Sequence, residues 1–234
     1  MTLMRTLIHH HFIRFSACAT LGLLVGALFA TSAAHAAGDP TRGAALSKNC
    51  ASCHGEAGQA PIEGYPHLAG QKPQYLVKQL WEMRRSAKQR AGMLSENKSA
   101  ITRITRATRS NETMDPFVIN LSDQDISDLA AYYEAMHCQQ AIGTAPTAPP
   151  KVEVRCRACH GRVGISPRKN IPNIAGQDAA YLIKQLTAFR AAANDAGLGG
   201  EIKRRTPIMA SQAKHLTESD IIAMSEYYAR LPCN

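Results

Sequence analysis

The chain has 234 residues, 45% of them hydrophobic and 19% charged, with 27 Lys and Arg against 18 Asp and Glu for a net charge of +9. After the first 30 residues no apolar run approaches the ~20 residues of a spanning helix, which excludes a membrane-spanning mature protein. Six of the seven cysteines lie beyond residue 36, too many to be incidental in an exported chain.

Residues 1–36 read as an export signal. Arg5 and Arg14 precede the apolar run Ala17–Ala30, and TSAAHAA then offers Ala34 and Ala36 ahead of a cut before Ala37. A membrane anchor is the competing reading, but the run is only 14 residues long. Cleavage would leave 198 residues, enough for one large or two small domains, in the periplasm.

The remainder is written twice. A shift of 106 residues lays YPHLAGQKPQYLVKQL (65–80) on IPNIAGQDAAYLIKQL (171–186), and Cys50, Cys53 and His54 on Cys156, Cys159 and His160. Beyond Leu80 the shift falls to 95, which aligns LSDQDISDLAAYYEAMHC (121–138) with LTESDIIAMSEYYARLPC (216–233). The first copy therefore carries 11 extra residues between Leu80 and Met114. Two domains are expected, 37–138 and 151–234, joined by the Pro- and Ala-rich linker 139–150.

Within each copy the periodicity is helical. Ile126, Leu129, Ala130 and Tyr133 fall at i, i+3, i+4 and i+7, as do Ile221, Met224, Ser225 and Tyr228. Ser122 with Asp125, and Thr217 with Asp220, are N-cap signatures for these last helices. YLVKQLWEMRR and YLIKQLTAFRA predict a middle helix in each copy, and TRGAALSKNC could form another before the first Cys pair. No window alternates as a strand, so the fold class is all-α.

Cys-x-x-Cys-His is an attachment signal for c-type haem: two thiols bond the vinyl groups and the adjacent His comes under the iron. A zinc site would need further ligands that neither copy supplies, and a thioredoxin-type motif would need a βαβ setting. The repeat also picks out a sixth ligand. Met83 lies opposite Phe189, Met136 opposite Leu231, Met224 opposite Leu129, and Met93 falls in the extra segment. Only Met114 and Met209 coincide, each 24 residues before a cysteine, in SNETMDP and RTPIMAS, which read as non-helical loops. Met opposite His raises the potential relative to paired His ligands.

With both motifs, both Met stretches, YPHLAGQ and IPNIAGQ, and the Tyr-Tyr closing helices, the chain resembles a dihaem class I cytochrome c of the c4 type over nearly all of its mature length. The resemblance implies two tandem class I cytochrome c domains, each built around one covalently bound haem c. It implies iron ligands His54 and Met114 in the first and His160 and Met209 in the second. It further implies that the carbonyls of Pro66 and Pro172 accept from the two ligand imidazoles. Arg84 and Arg190, equivalent in the repeat, are candidates to pair with the haem propionates.

Filled iron positions leave no open site, so the expected role is outer-sphere electron transfer, not catalysis on a small-molecule substrate. The resemblance implies a periplasmic shuttle between a respiratory donor, the bc1 complex or a dehydrogenase, and a terminal oxidase. The alternative is the electron-accepting subunit of a dehydrogenase complex such as a flavocytochrome c sulfide dehydrogenase; a dihaem peroxidase is disfavoured by the paired Met stretches. Residues 38–138 hold 12 basic and 11 acidic side chains, and residues 139–234 hold 13 and 7. An acidic redox partner is therefore expected at the second domain, near Arg157, Arg162, Arg168 and Lys169; no nucleic-acid partner is expected. Cys138 and Cys233 either bridge the two domains or are small buried hydrophobes inherited from one ancestral module.

Overall fold

The structure, a computed structural model, describes residues 38–94, 109–138, 148–194, 202–204 and 206–233. The expected export signal, most of the first copy's extra segment and linker positions 139–147 lie outside the described residues. Ala37–Asn234 form one compact unit that holds both copies of the repeat. Among the described residues no helix is long and apolar enough to cross a membrane.

The first copy runs α1 (Pro40–Ser47), α2 (Ala51–His54), α3 (Pro73–Arg90), β1 (Arg109–Asn111), a 3-10 turn (Glu112–Met114), α4 (Asp115–Val118) and α5 (Asp123–Ala135). The second runs from a 3-10 turn (Lys151–Glu153) into α6 (Val154–His160), then α7 (Ala179–Asn194), β2 (Ile202–Arg204), α8 (Pro207–Ala213) and α9 (Glu218–Ala229). Sequence explains where the long helices begin. Pro40 and Pro73 open α1 and α3, where a missing N–H costs nothing. Ser122–Asp125 and Thr217–Asp220 close full capping boxes on α5 and α9.

The helical periods of α5 and α9 bury the faces that the spacing indicated. Ile126, Leu129, Ala130 and Tyr133 are buried, as are Ile221, Met224, Ser225 and Tyr228. In the first copy Leu76 of α3 joins Leu129, Ala130 and Tyr133, and Met83 forms a second cluster with Ala87 and Val118. In the second, Met224, Tyr228 and Leu231 gather around Ala175, while Phe189 and Ile221 pack with Ala213. Burying a side chain of this size contributes about 1.5–3 kcal/mol.

Three sequence expectations change. The Met stretches are helical: Met114 ends a 3-10 turn that runs into α4, and Met209 lies inside α8. Pro116 and Pro207 sit in the first turn of those helices, and their fixed φ starts a helix that apolar spacing does not signal. The mostly helical fold also includes one antiparallel ladder, pairing Arg109 with Arg204, Ser110 with Lys203 and Asn111 with Ile202. Three residues per strand are too few for an alternation to be read.

The third change concerns Arg84 and Arg190. Arg84 Nη1 donates to the Leu121 carbonyl at 2.7 Å and its Nη2 pairs with Asp123; Arg190 does the same to Leu216 at 3.1 Å and to Glu218 at 2.7 Å. Both arginines thus pin the middle helix to the turn that enters the last helix.

Candidate functional site

Each attachment motif ends a helix at a residue that must be glycine. Gly55 and Gly161 follow the two His with φ of +76° and +83°. A Cβ there would stand 2.1 Å from the carbonyl oxygen of Gln59 or Ile165. His54 and His160 are 5% and 6% exposed. Each Nδ1–H donates to a proline carbonyl, His54 to Pro66 at 3.0 Å and His160 to Pro172 at 2.9 Å.

That bond fixes the tautomer with the lone pair on Nε2. Burial pulls both imidazoles below their ordinary pKa, partly opposed by the proline carbonyls. His54 Nε2 is buried and meets no partner among the described residues. An imidazole anchored at Nδ1 and orphaned at Nε2 has the form of a metal ligand. Burial also pushes the Cys50 and Cys156 thiols up, Cys156 to about 11, the opposite of what a thiolate metal site needs.

In the first copy one apolar crevice collects Asn49, Cys50, Cys53, His54, Tyr65, Thr113, Met114 and Phe117. The thiols, the imidazole and the thioether therefore line one shared crevice, and these are the residues that would hold a covalently attached haem. In the second copy Cys156 packs against the Met224 and Tyr228 cluster, while Met209 lies against the Phe189, Ala213, Leu216 and Ile221 cluster.

The comparisons with known proteins agree with this chemistry. The cytochrome c family model matches twice, at residues 40–136 and 152–231. The chain belongs to the cytochrome c family. It is similar to cytochrome c4 of Pseudomonas aeruginosa, 32% identical over 224 residues that cover 89% of this chain and 92% of that one. A thiosulfate dehydrogenase electron acceptor of Stutzerimonas stutzeri is 30% identical, covering 78% of each chain. The solved structure of reduced cytochrome c4 from Pseudomonas stutzeri superposes with a TM-score of 0.61 at 30% identity, covering 83% of this chain and all of that one. The protein is thus a dihaem electron-transfer cytochrome of the c4 type, carrying two covalently bound haem c groups.

The two cytochrome domains meet through the same loops that carry the proline carbonyls. Gln71 accepts from Asn173 N at 2.8 Å and donates to the Asn173 carbonyl at 2.9 Å. Its repeat mate Gln177 accepts from His67 N at 2.7 Å and donates to the His67 carbonyl at 2.9 Å. His67 and Asn173 are themselves repeat mates, each directly after its proline, so the clamp is reciprocal. His67 Nδ1 accepts from Ala60 N at 2.9 Å and Asn173 Oδ1 from Ser166 N at 3.0 Å. Cys138 and Cys233 close the seam as a disulfide with Cα atoms 5.9 Å apart.

Sequence reading missed one pair of residues here. Arg109 and Arg204 are each 5% exposed, and both donate to Gln79 Oε1, Arg204 at 2.6 Å. Arg109 also reaches the Tyr181 hydroxyl at 3.1 Å and Arg204 the Tyr75 hydroxyl at 3.5 Å, each across the repeat. Arg204 lies 4.5 Å from the Phe189 ring centroid. Both Nε atoms, and the buried Gln185 Oε1, lack partners among the described residues. Burial and the neighbouring Arg109 charge hold the Arg204 guanidinium below its ordinary pKa. Burial raises the Tyr75 phenol, but the Arg204 and Arg109 charges outweigh it and its pKa falls. The signal was present, because the two arginines coincide at the 95-residue shift, five positions before Met114 and Met209.

Proposed function

We propose that this cytochrome is an exported, periplasmic carrier without an open catalytic position, and that it docks its redox partner through the second domain. Bound haem supplies a one-electron Fe(III)/Fe(II) couple. Cys50, Cys53, Cys156 and Cys159 would hold the two groups covalently, with His54 and Met114 as iron ligands in the first copy and His160 and Met209 in the second. Pro66 and Pro172 orient the imidazoles and raise their basicity through the Nδ1 hydrogen bonds. Arg109 and Arg204 present two buried cations and two Nε–H groups unpaired among the described residues, a cradle that suits haem propionates.

The rim of the second attachment motif carries the docking argument. It exposes Arg155, Arg157, Arg162, Arg168 and Lys169, with the exposed Val154, Val163 and Ile208. At the first five positions the first copy has Asn49, Ala51, Glu56, Ile62 and Glu63. A basic rim with apolar residues suits an acidic face on a respiratory donor or acceptor, such as a bc1 complex or a terminal oxidase. Replacing the five cations by Gln should slow electron exchange with an acidic partner at least tenfold at low ionic strength and little at high. Exchange unaffected at both ionic strengths would remove the second domain as the docking face.

A second reading has its own support in the thiosulfate dehydrogenase electron acceptor relatives. There the chain would receive electrons directly from a dehydrogenase. Native purification distinguishes the two: a stoichiometric dehydrogenase subunit favours the second reading, and a free dihaem protein the first.

A further inference from the structure

The two copies differ at one buried position beside the attachment cysteine. In the second copy it is Glu153, a carboxylate 3% exposed, three residues before Cys156. In the first copy the 106-residue shift places Ser47 there, three residues before Cys50, and its hydroxyl donates to the Ala44 carbonyl at 2.9 Å within α1. The closing helices repeat the contrast. Tyr228 donates its hydroxyl to Glu153 Oε1 at 3.2 Å. Its mate Tyr133, buried against the Cys50 thiol, meets no oxygen or nitrogen acceptor among the described residues.

Glu153 is partnered in a way that suits an ionised carboxylate. Tyr228 donates from α9, and Arg157 Nε stands 3.7 Å away one turn along α6, itself 43% exposed at its side chain. Tyr227 is the remaining ionisable group of α9 that feels this charge. The charge also reaches the attachment sulfur: after burial, Glu153 is the largest cause raising the Cys156 thiol. Among the described residues no carboxylate is a cause of the shift of the Cys50 thiol. A buried carboxylate therefore stands beside the second attachment cysteine, where the first copy has the Ser47 hydroxyl.

We infer that Glu153 sets the potential of the second haem, holding that site harder to reduce than the same cradle without the carboxylate. The inference rests on the reading that Cys156, Cys159 and His160 hold a haem. No bond forms or breaks: one electron from the redox partner converts Fe(III) to Fe(II). A fixed negative charge at short range through a low-dielectric medium stabilises Fe(III) over Fe(II). Glu153 acts through the field, so it is a positioning residue of the electron-transfer reaction and not a ligand.

Spectroelectrochemical titration of the holoprotein, with haem counted as two per chain, tests this. Glu153→Gln should raise one component by about a factor of ten or more in its reduced-to-oxidised ratio at fixed potential, a tenfold change being about 59 mV for one electron. Glu153→Asp, which keeps the charge, should stay within about threefold of wild type. Ser47→Glu, which would give Tyr133 the acceptor that it lacks, should lower the other component. Movement of the same component by both substitutions, or no movement in a Glu153→Gln protein with two haems, overturns the inference. Should Glu153→Gln fail to load its second haem, Ser47→Glu decides alone, and an unmoved component overturns it. A wild-type protein holding one haem would instead refute the ligation reading beneath it.

Discussion

The two copies share their anchoring chemistry but not their surroundings. Each ends its attachment helix in a positive-φ glycine, donates from His to a proline carbonyl and clamps the other's backbone with a glutamine. Around that common frame the first copy adds a polar network. Asp39 caps α1, and Arg42 Nη1 pairs at 2.5 Å with the fully buried Asp128 of α5. At the position of Asp128 the second copy has Ala223, and it buries Glu153 instead. Geometry that serves binding is duplicated, while charge, which tunes a site and its partner, has diverged. Electrostatics can change without moving a ligand, so it is the freer variable after a duplication.

Removing the shared links should produce the largest effects. Cys138→Ser with Cys233→Ser opens a crosslink spanning 95 positions, and the chain-entropy estimate puts its loss at up to ~4–5 kcal/mol. Denaturation followed by absorbance and by far-ultraviolet dichroism should show one transition in wild type and two in the variant. A single unshifted transition would mean that the other seam contacts suffice. Met114→His and Met209→His should each remove about half of the oxidised protein's weak sulfur-to-iron band. Each should lower one potential by on the order of 100 mV, a fraction of the ~0.8 V that axial ligands span. A variant that keeps its full band identifies a copy whose thioether is not the ligand.

The glutamine clamp tests whether the halves are equivalent. Gln71→Ala and Gln177→Ala each delete two hydrogen bonds across the seam, for about 1–3 kcal/mol apiece. Equal costs support the reciprocal reading, and a difference above about 1 kcal/mol would break it.

The smallest expected effect is a pH asymmetry. Burial lowers the His67 pKa, opposed by Asp178, and Nδ1 accepts from Ala60 only when the ring is neutral there. A histidine depressed in the folded state contributes stability above its unfolded value of about 6.5, and that contribution is lost as pH falls through the folded value. Asn173 holds the equivalent bond without titrating. His67→Asn should therefore flatten the acid limb of stability below about pH 6.5, and an unchanged limb would clear His67 of the role.

Much of this was legible because the chemistry demands particular residues at particular spacings. The two Cys-x-x-Cys-His motifs, the register that isolates Met114 and Met209, and the capping pairs of α5 and α9 all stand in the sequence. What was not legible is burial. Arg84 with Arg190 and Arg109 with Arg204 coincide equally well in the repeat, yet of the two pairs only the second is enclosed with nitrogens unpaired among the described residues. A one-dimensional register cannot say which arginine the fold encloses. The helical turns at the two Met residues were missed because they are short and carry no apolar period: Met114 ends a 3-10 turn ahead of α4, and Pro207 opens α8. The β1–β2 ladder was missed because its partners lie 95 residues apart and span three positions.

Reciprocal contacts across the seam are those of an isologous dimer, in which residue i of one subunit meets j of the other and j meets i. Here both subunits lie on one chain, with Gln71 on Asn173 and Gln177 on His67. A true homodimer must carry every substitution twice, so a carboxylate at the Ser47 position would appear in both halves or in neither. Tandem fusion lifts that symmetry constraint. A pair of centres of which only one has a buried carboxylate beside its attachment cysteine lies beyond any assembly of identical copies, and the single chain makes it possible.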